Sequence, residues 1–188
     1  MLSYPEPPLK DGVVQLRRWE HRDLPCVEAA STDPRIPADT TVPAVFTEAE
    51  GLAYIERQWH RQSGGEGLPL AVEHIERGLA VGFIVLLYRH QPRVLGLGYW
   101  VIPPARGHGL AQRAVRLLVP WVLGLGPVNR VEALVEPSNL ASLRTIEGAG
   151  FQREGLLRAA DHRTLCDALA ATARPPGRLR IEVDPLRA

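Results

Sequence analysis

The chain has 188 residues, 45% hydrophobic and 23% charged, with a formal net charge of +1, which suits one domain burying roughly two-thirds of its unfolded surface. That balance argues against a disordered chain, a membrane-embedded one and a nonspecific nucleic-acid binder, so no nucleic-acid and no membrane partner is expected. Two cysteines, Cys26 and Cys166, without CxxC or Cys/His spacing, point to no disulfide framework, no metal and a reducing, cytoplasmic setting; the longest apolar runs are too short to span a bilayer, and the Pro-rich start lacks the apolar core of a leader.

A weak alternation over Val13–Trp19 predicts a first strand, and Asp23 followed by Leu24, Val27 and Ala30 predicts a short helix. Ser31–Ala44 carries Asp33-Pro34, Ile36-Pro37 and Val42-Pro43 and reads as a long loop, of a length that often carries function. Thr47, with Glu48 and Glu50 behind it, caps a helix whose apolar positions Leu52, Ile55 and Trp59 share a face and which ends at Ser63-Gly64-Gly65. Leu68–Ile75, Ala80–Tyr88 and Val94–Ile102 are strand-like runs with short connections, an antiparallel meander.

After Pro103-Pro104 the period becomes helical, with Leu110, Ala114, Leu117, Leu118 and Trp121 on one face, a kink expected at Pro120 and an end by Gly124–Pro127. Val131–Val135 then reads as a strand, Asn139–Gly148 as a helix and Phe151–Arg158 as a further strand. The order implies a single α/β domain with a mixed central sheet and helices on both faces. Asp167–Arg174 is a candidate last strand, but alanine-rich. Pro175-Pro176 divides a domain over 1–174 from a tail over 175–188, whose segment Gly177–Asp184 alternates like a strand. That segment is expected either to dock on a sheet edge or on a second subunit of a homodimer, or to fray.

Arg106-Gly107-His108-Gly109-Leu110-Ala111 lies directly after a strand and opens a helix. Small residues there let several backbone N–H groups converge on an anion, with the helix dipole adding its positive end. Phosphate is the natural ligand. The turn has neither the Lys-Ser/Thr of a Walker loop nor a GxGxxG fingerprint; the alternative is a merely structural strand-to-helix turn.

Here the sequence resembles the GCN-type N-acetyltransferases (GNAT), whose signature R/Q-x-x-G-x-G/A is met by Arg106, Gly109 and Ala111. Gly98-Tyr99-Trp100-Val101-Ile102-Pro103, Glu136-Pro137-Ser138-Asn139-Leu140-Ala141-Ser142 and the run from Gly148 to Gly155 look like the branch related to the ribosomal-protein N-terminal acetyltransferases RimJ and RimL. The resemblance runs from about Val13 to Arg174. It implies acetyl-CoA, or another acyl-CoA, as co-substrate in a cleft between two splayed parallel strands, with no metal. The pyrophosphate would sit on the N–H groups of Arg106, Gly107, His108, Gly109, Leu110 and Ala111, and the pantetheine would pair with the strand at Trp100, Val101 and Ile102. Asn139 would contact the pantetheine, and Ser142 would lie near the thioester. Arg144 either reaches the nucleotide phosphates or is a solvated helix residue.

Many relatives carry a general-acid tyrosine four residues before the Gly-Phe pair, where this chain has Ile146. The branch resemblance carries the acid role to Ser142, whose alternative is a helix-first-turn serine bonding backbone. It also carries a catalytic carboxylate to Asp161, otherwise a solvated loop residue. His108 acts electrostatically beside the pyrophosphate or faces solvent. Thr32–Ala44, the helix with Trp59 and the region after Arg158 are expected to form the acceptor side; Trp59 either lines an amine pocket or belongs to the core. The last strand lacks the family's aromatic pattern, which bears on acceptor specificity. The resemblance implies an N-acetyltransferase acting on a peptide N-terminus or a small-molecule amine. The alternative from another class is an acyl-CoA-binding sensor or structural protein without turnover.

Overall fold

The computed structural model describes residues 1–157 and 178–183. A two-residue strand β1 (Leu9–Lys10) pairs antiparallel with β2 (Val14–Arg17). Two helices follow, α1 (Leu24–Ser31) and α2 (Arg35–Asp39), and then the long α3 (Glu48–Ser63). Strands β3 (Gly67–His74), β4 (Leu79–Tyr88) and β5 (Val94–Val101) form the expected meander, followed by α4 (Leu110–Gly124), β6 (Arg130–Val135), α5 (Leu140–Gly148), β7 (Gln152–Leu157) and β8 (Arg178–Val183). They build one sheet in the order β1-β2-β3-β4-β5-β6-β8-β7, in which β5 and β6 are parallel and the other pairs antiparallel. This is the mixed α/β sheet anticipated from the element order.

Two apolar clusters lie on the sheet. One gathers Ile84, Leu86, Leu95 and Leu97 beneath Ala114, Val115, Leu118 and Val122 of α4, with Leu143 and Ile146 of α5. The other gathers Phe83, Val85 and Trp100 beneath Val27 of α1, Ile36 of α2 and Tyr54 and Ile55 of α3. The two sets alternate along β4, as strand geometry requires when both faces are covered. Trp19, Tyr54, Phe83 and Trp100 form an aromatic knot, the Phe83 and Trp100 rings stacked with centroids 5.8 Å apart.

A buried ion network sets how α1 leaves the sheet. Both terminal nitrogens of Arg17 donate to Asp23 at 2.7 Å, and its Nε donates to Glu73 of β3. Paired on both sides, the guanidinium holds its proton more firmly than usual, hydrogen bonds and charge outweighing burial.

One expectation is corrected. The stretch Ser31–Ala44 contains the helix α2, because Pro37 falls in its first turn, where an N–H has no helical acceptor, and the Asp33 carboxylate accepts from the Arg35 N–H at 2.8 Å. Helix α4 contains Pro120, which is exposed, and ends at Gly124, within the expected bounds. Residues 178–183 form β8, which pairs with β6 on one side and β7 on the other, so this part of the segment expected to dock on the sheet does so, as an interior strand. With both edges engaged inside the chain, that strand supplies no reason for a second subunit. The candidate strand Asp167–Arg174 lies outside the described residues.

Candidate active site

Parallel β5 and β6 pair only from Val94↔Arg130 to Leu97↔Ala133, although β5 continues to Val101 and β6 to Val135. Past Leu97 and Ala133 the strands part. A cavity of about 230 Å³ opens there, lined on its sheet side by Gly98, Tyr99, Trp100, Leu134 and Val135.

Strand alternation decides which backbone groups of β5 face the gap. The N–H of Ile102 donates to the Val81 carbonyl of the strand preceding β5, and the Trp100 carbonyl packs against Gly82 of the same strand. Trp100 and Ile102 therefore present their polar groups to β4, while Tyr99 and Val101 turn theirs toward the parting. Of Trp100, Val101 and Ile102, only Val101 turns its backbone polar groups to the parting, and Tyr99 does so too.

Beyond β5, Gly107 and Gly109 have φ of 81° and 69°, left-handed values that glycine adopts without penalty, and a Cβ at either would touch nothing within 4 Å. The first α-type bond of α4 runs from the Arg113 N–H to the Gly109 carbonyl, so the N–H groups of Leu110, Ala111 and Gln112 emerge from the helix end. His108 is exposed in this turn. Arg106 is not a free cation: its Nε donates to the Val101 carbonyl at 2.9 Å and its guanidinium pairs with Asp33. It ties the turn to the end of β5 and to the segment before α2. The turn lies outside the cavity lining.

On the opposite wall Asn139 caps α5, its Oδ1 accepting from the Ser142 N–H at 3.1 Å. Ser142 lines the cavity, and its Oγ lies 2.6 Å from the Tyr99 hydroxyl, which also reaches the Ser142 carbonyl at 3.2 Å. Burial pushes the Tyr99 hydroxyl up in pKa, with hydrogen bonds from Ser142 and Thr145 pulling the other way. It stays protonated at neutral pH. Ile146 is wholly buried in the core and presents nothing to the cleft. Arg144 is exposed on α5.

The far wall is formed by Asp39 and Thr40 at the end of α2, by Tyr54 and Arg61 of α3, and by Arg89 just after β4. Trp59 is not brought to it. Its indole N–H donates to the Trp19 carbonyl at 2.8 Å, and its ring lies against His21 and Arg18. Asp161 lies outside the described residues. The site residues that sequence reasoning missed, Tyr99, Tyr54, Arg61 and Arg89, come from β5, α3 and the turn after β4 and carry no local spacing signal. The one available hint was the amphipathic period of α3, which places Tyr54 and Arg61 one helical face apart from its solvent side.

Residues 14–152 match the family described as "Acetyltransferase (GNAT) domain". The chain belongs to the GNAT family. Within it, the probable N-acetyltransferase YjcK of Bacillus subtilis (strain 168) is 40% identical over 62 residues, 33% of this chain and 34% of YjcK, so the match spans about a third of that relative's length. The GNAT fold is shared with Mycobacterium smegmatis RimJ in complex with CoA-disulfide, at a TM-score of 0.75 and 22% identity over 95% of this chain and 86% of that one. It is shared equally with the microcin C7 self-immunity acetyltransferase MccE in complex with acetyl-CoA and AMP, at 0.76 and 16% identity over 93% of both chains. At such identities the likeness is one of fold alone. Among the described residues there is no cluster of three metal-ligating side chains, and no helix long and apolar enough to cross a membrane.

Proposed function

We propose that this GNAT protein is an N-acetyltransferase that moves an acetyl group from acetyl-CoA to a primary amine by direct attack. The observation that carries the reading is the parting of β5 and β6 after Leu97 and Ala133, with the Ser142 hydroxyl standing in the gap. The residues fit the donor. The outward-facing groups of Tyr99 and the Val101 N–H, whose carbonyl is taken by Arg106, offer a strand edge to the amides of a pantetheine arm. The open turn at Gly107 and Gly109, with three N–H groups emerging from α4, offers a cradle for pyrophosphate. The exposed Arg144 and the Nδ2 of Asn139, whose Oδ1 is engaged in capping, are the further groups available to the nucleotide and the arm.

In the transfer step the amine nitrogen forms a bond to the thioester carbon and the carbon–sulfur bond breaks. The amine proton leaves to water or a carboxylate, and the thiolate takes a proton from Ser142, whose oxygen recovers one from solvent. Strand-edge N–H groups meet the carbonyl oxygen as its charge develops, without reorganising. Most of the acceleration is then positioning, which the fixed cleft supplies.

Calorimetric CoA titration together with thiol release from acetyl-CoA over a panel of amines tests the reading. Ser142→Ala is expected to lower turnover by about ten- to a thousandfold while leaving CoA affinity unchanged. CoA binding with no thiol release on any amine would instead support the sensor reading, and no CoA binding would sink both.

A further inference from the structure

The acceptor half of the cavity has a defined polarity. Phe83, Val85 and Leu87 alternate along β4 and pair with Trp100, Gly98 and Gly96 of β5, so these positions share the face under α3. Gly96 and Gly98 leave a floor without side chains. At its closed end, where Gly96 is still paired with Glu132, Arg89 crosses over Gly96 so closely that a Cβ there would collide with the guanidinium; its Nε lies 3.0 Å from Glu132. That cation is neutralised.

Arg61 is different. Its carbonyl accepts from the Glu66 N–H, and the Glu66 carbonyl accepts from the Tyr88 N–H, which sets Arg61 above the same closed end. The guanidinium is aimed by Gln58, wholly buried and itself donating to the Tyr54 carbonyl, through a 2.8 Å bond to Oε1. The carboxylate nearest to it, Glu66, stands 3.8 Å away and is itself mostly exposed. Beside it in the lining, the Trp100 indole is buried to 7% exposure and has the Tyr54 hydroxyl as its polar neighbour. The Arg61 guanidinium can only donate, so an acceptor in the cavity completes it. At the other end Glu136, Asn139 and Ser142 line the cavity together.

We propose that the acceptor is a small amine whose far end carries an oxyanion, a carboxylate or a phosphate, held by Arg61 at the closed end while the amine sits at the parting of the strands. The proposal rests on the acetyltransferase reading and adds the substrate class. Three strand residues separate the level of Gly96 from that of Tyr99, so amine and oxyanion stand about 10 Å apart. The planar guanidinium fork selects an oxyanion over an amide of the same shape, and a cavity of about 230 Å³ favours a short chain over a bulky one.

The test is calorimetric binding to the CoA-loaded protein of 6-aminohexanoate, the amide of that acid, and an aminoalkyl phosphate of equal length. The carboxylate or the phosphate should bind at least about tenfold more tightly than the amide, and the tighter of the two identifies the anion. Arg61→Gln should reduce that ratio to about one with CoA affinity unchanged, and Arg61→Lys should keep part of it. Should the glutamine variant not fold, the ratio in the intact protein and in Arg61→Lys decides. Equal affinities for anion and amide, no measurable binding of either anion, or a loss in Arg61→Gln that is as large for the amide, would overturn the proposal. Thiol release on the same ligands separates the two readings: selective binding without release refutes the transferase and leaves the anion subsite standing.

Discussion

Two side chains decide how the leaving thiolate would be protonated. The Ser142 hydroxyl has one hydrogen, and it is free to point into the cleft only if Tyr99 donates to the Ser142 oxygen. In the 2.6 Å contact either oxygen can donate; with the tyrosine as donor, the serine hydrogen is released to the thiolate. Tyr99→Phe is therefore expected to lower turnover by about tenfold without changing CoA affinity, while Tyr99→Phe/Ser142→Ala should be no slower than Ser142→Ala alone. Additive losses measured by steady-state thiol release would show that Tyr99 acts independently of the serine. Asp33 offers a pH test. Burial raises its pKa, but the Arg35 N–H and the Arg106 guanidinium outweigh that and hold the carboxyl below its usual value. Its contribution is thus complete above the unfolded value of about 4 and is lost as pH falls through the folded one. Asp33→Asn should melt below the wild type at pH 7, and the two melting curves should converge below about pH 4. A gap that persists in acid would mean that the pair contributes nothing.

Among the elements, β8 carries the clearest consequence. Five residue pairs join it to β6 and five more join it to β7, so its removal strips a partner from two strands at once. Truncation after Arg174 is expected to lower the melting temperature by about 10 °C, since losing several kcal/mol shifts a chain of this size by a few degrees for each. An unchanged melting curve would show that the two ladders add nothing to stability. Helix α3 matters in another way: capped by Thr47, whose Oγ1 accepts from the Glu50 N–H, it carries Tyr54, Gln58 and Arg61 on successive turns toward the cleft.

Across the whole molecule, the parts legible in the sequence were those written in local periodicity. The meander, the helix after Thr47 and the glycine turn opening α4 are each set by residues adjacent in the chain. The position of β8 was not legible, because the alternation over Gly177–Asp184 marks a strand without naming its neighbours. Nor was the far wall of the cavity: Arg61 and Arg89 acquire meaning only when β4 lies across from Gly96. Trp59 shows the converse, a conspicuous residue on the right helix whose indole is taken up by the Trp19 carbonyl.

The insertion of β8 between β6 and β7 also bears on how the protein is made. During synthesis the strands up to β6 can assemble as they emerge, since each finds its neighbour among residues already present. Strand β7 cannot, because its partner is residues 178–183, still to be translated. A nascent chain halted before that point exposes the free side of β6 and a solitary β7, two open edges of the kind that recruit other chains. Stalled ribosomes carrying this message should accordingly display an aggregation-prone intermediate that vanishes once the final strand has cleared the exit tunnel.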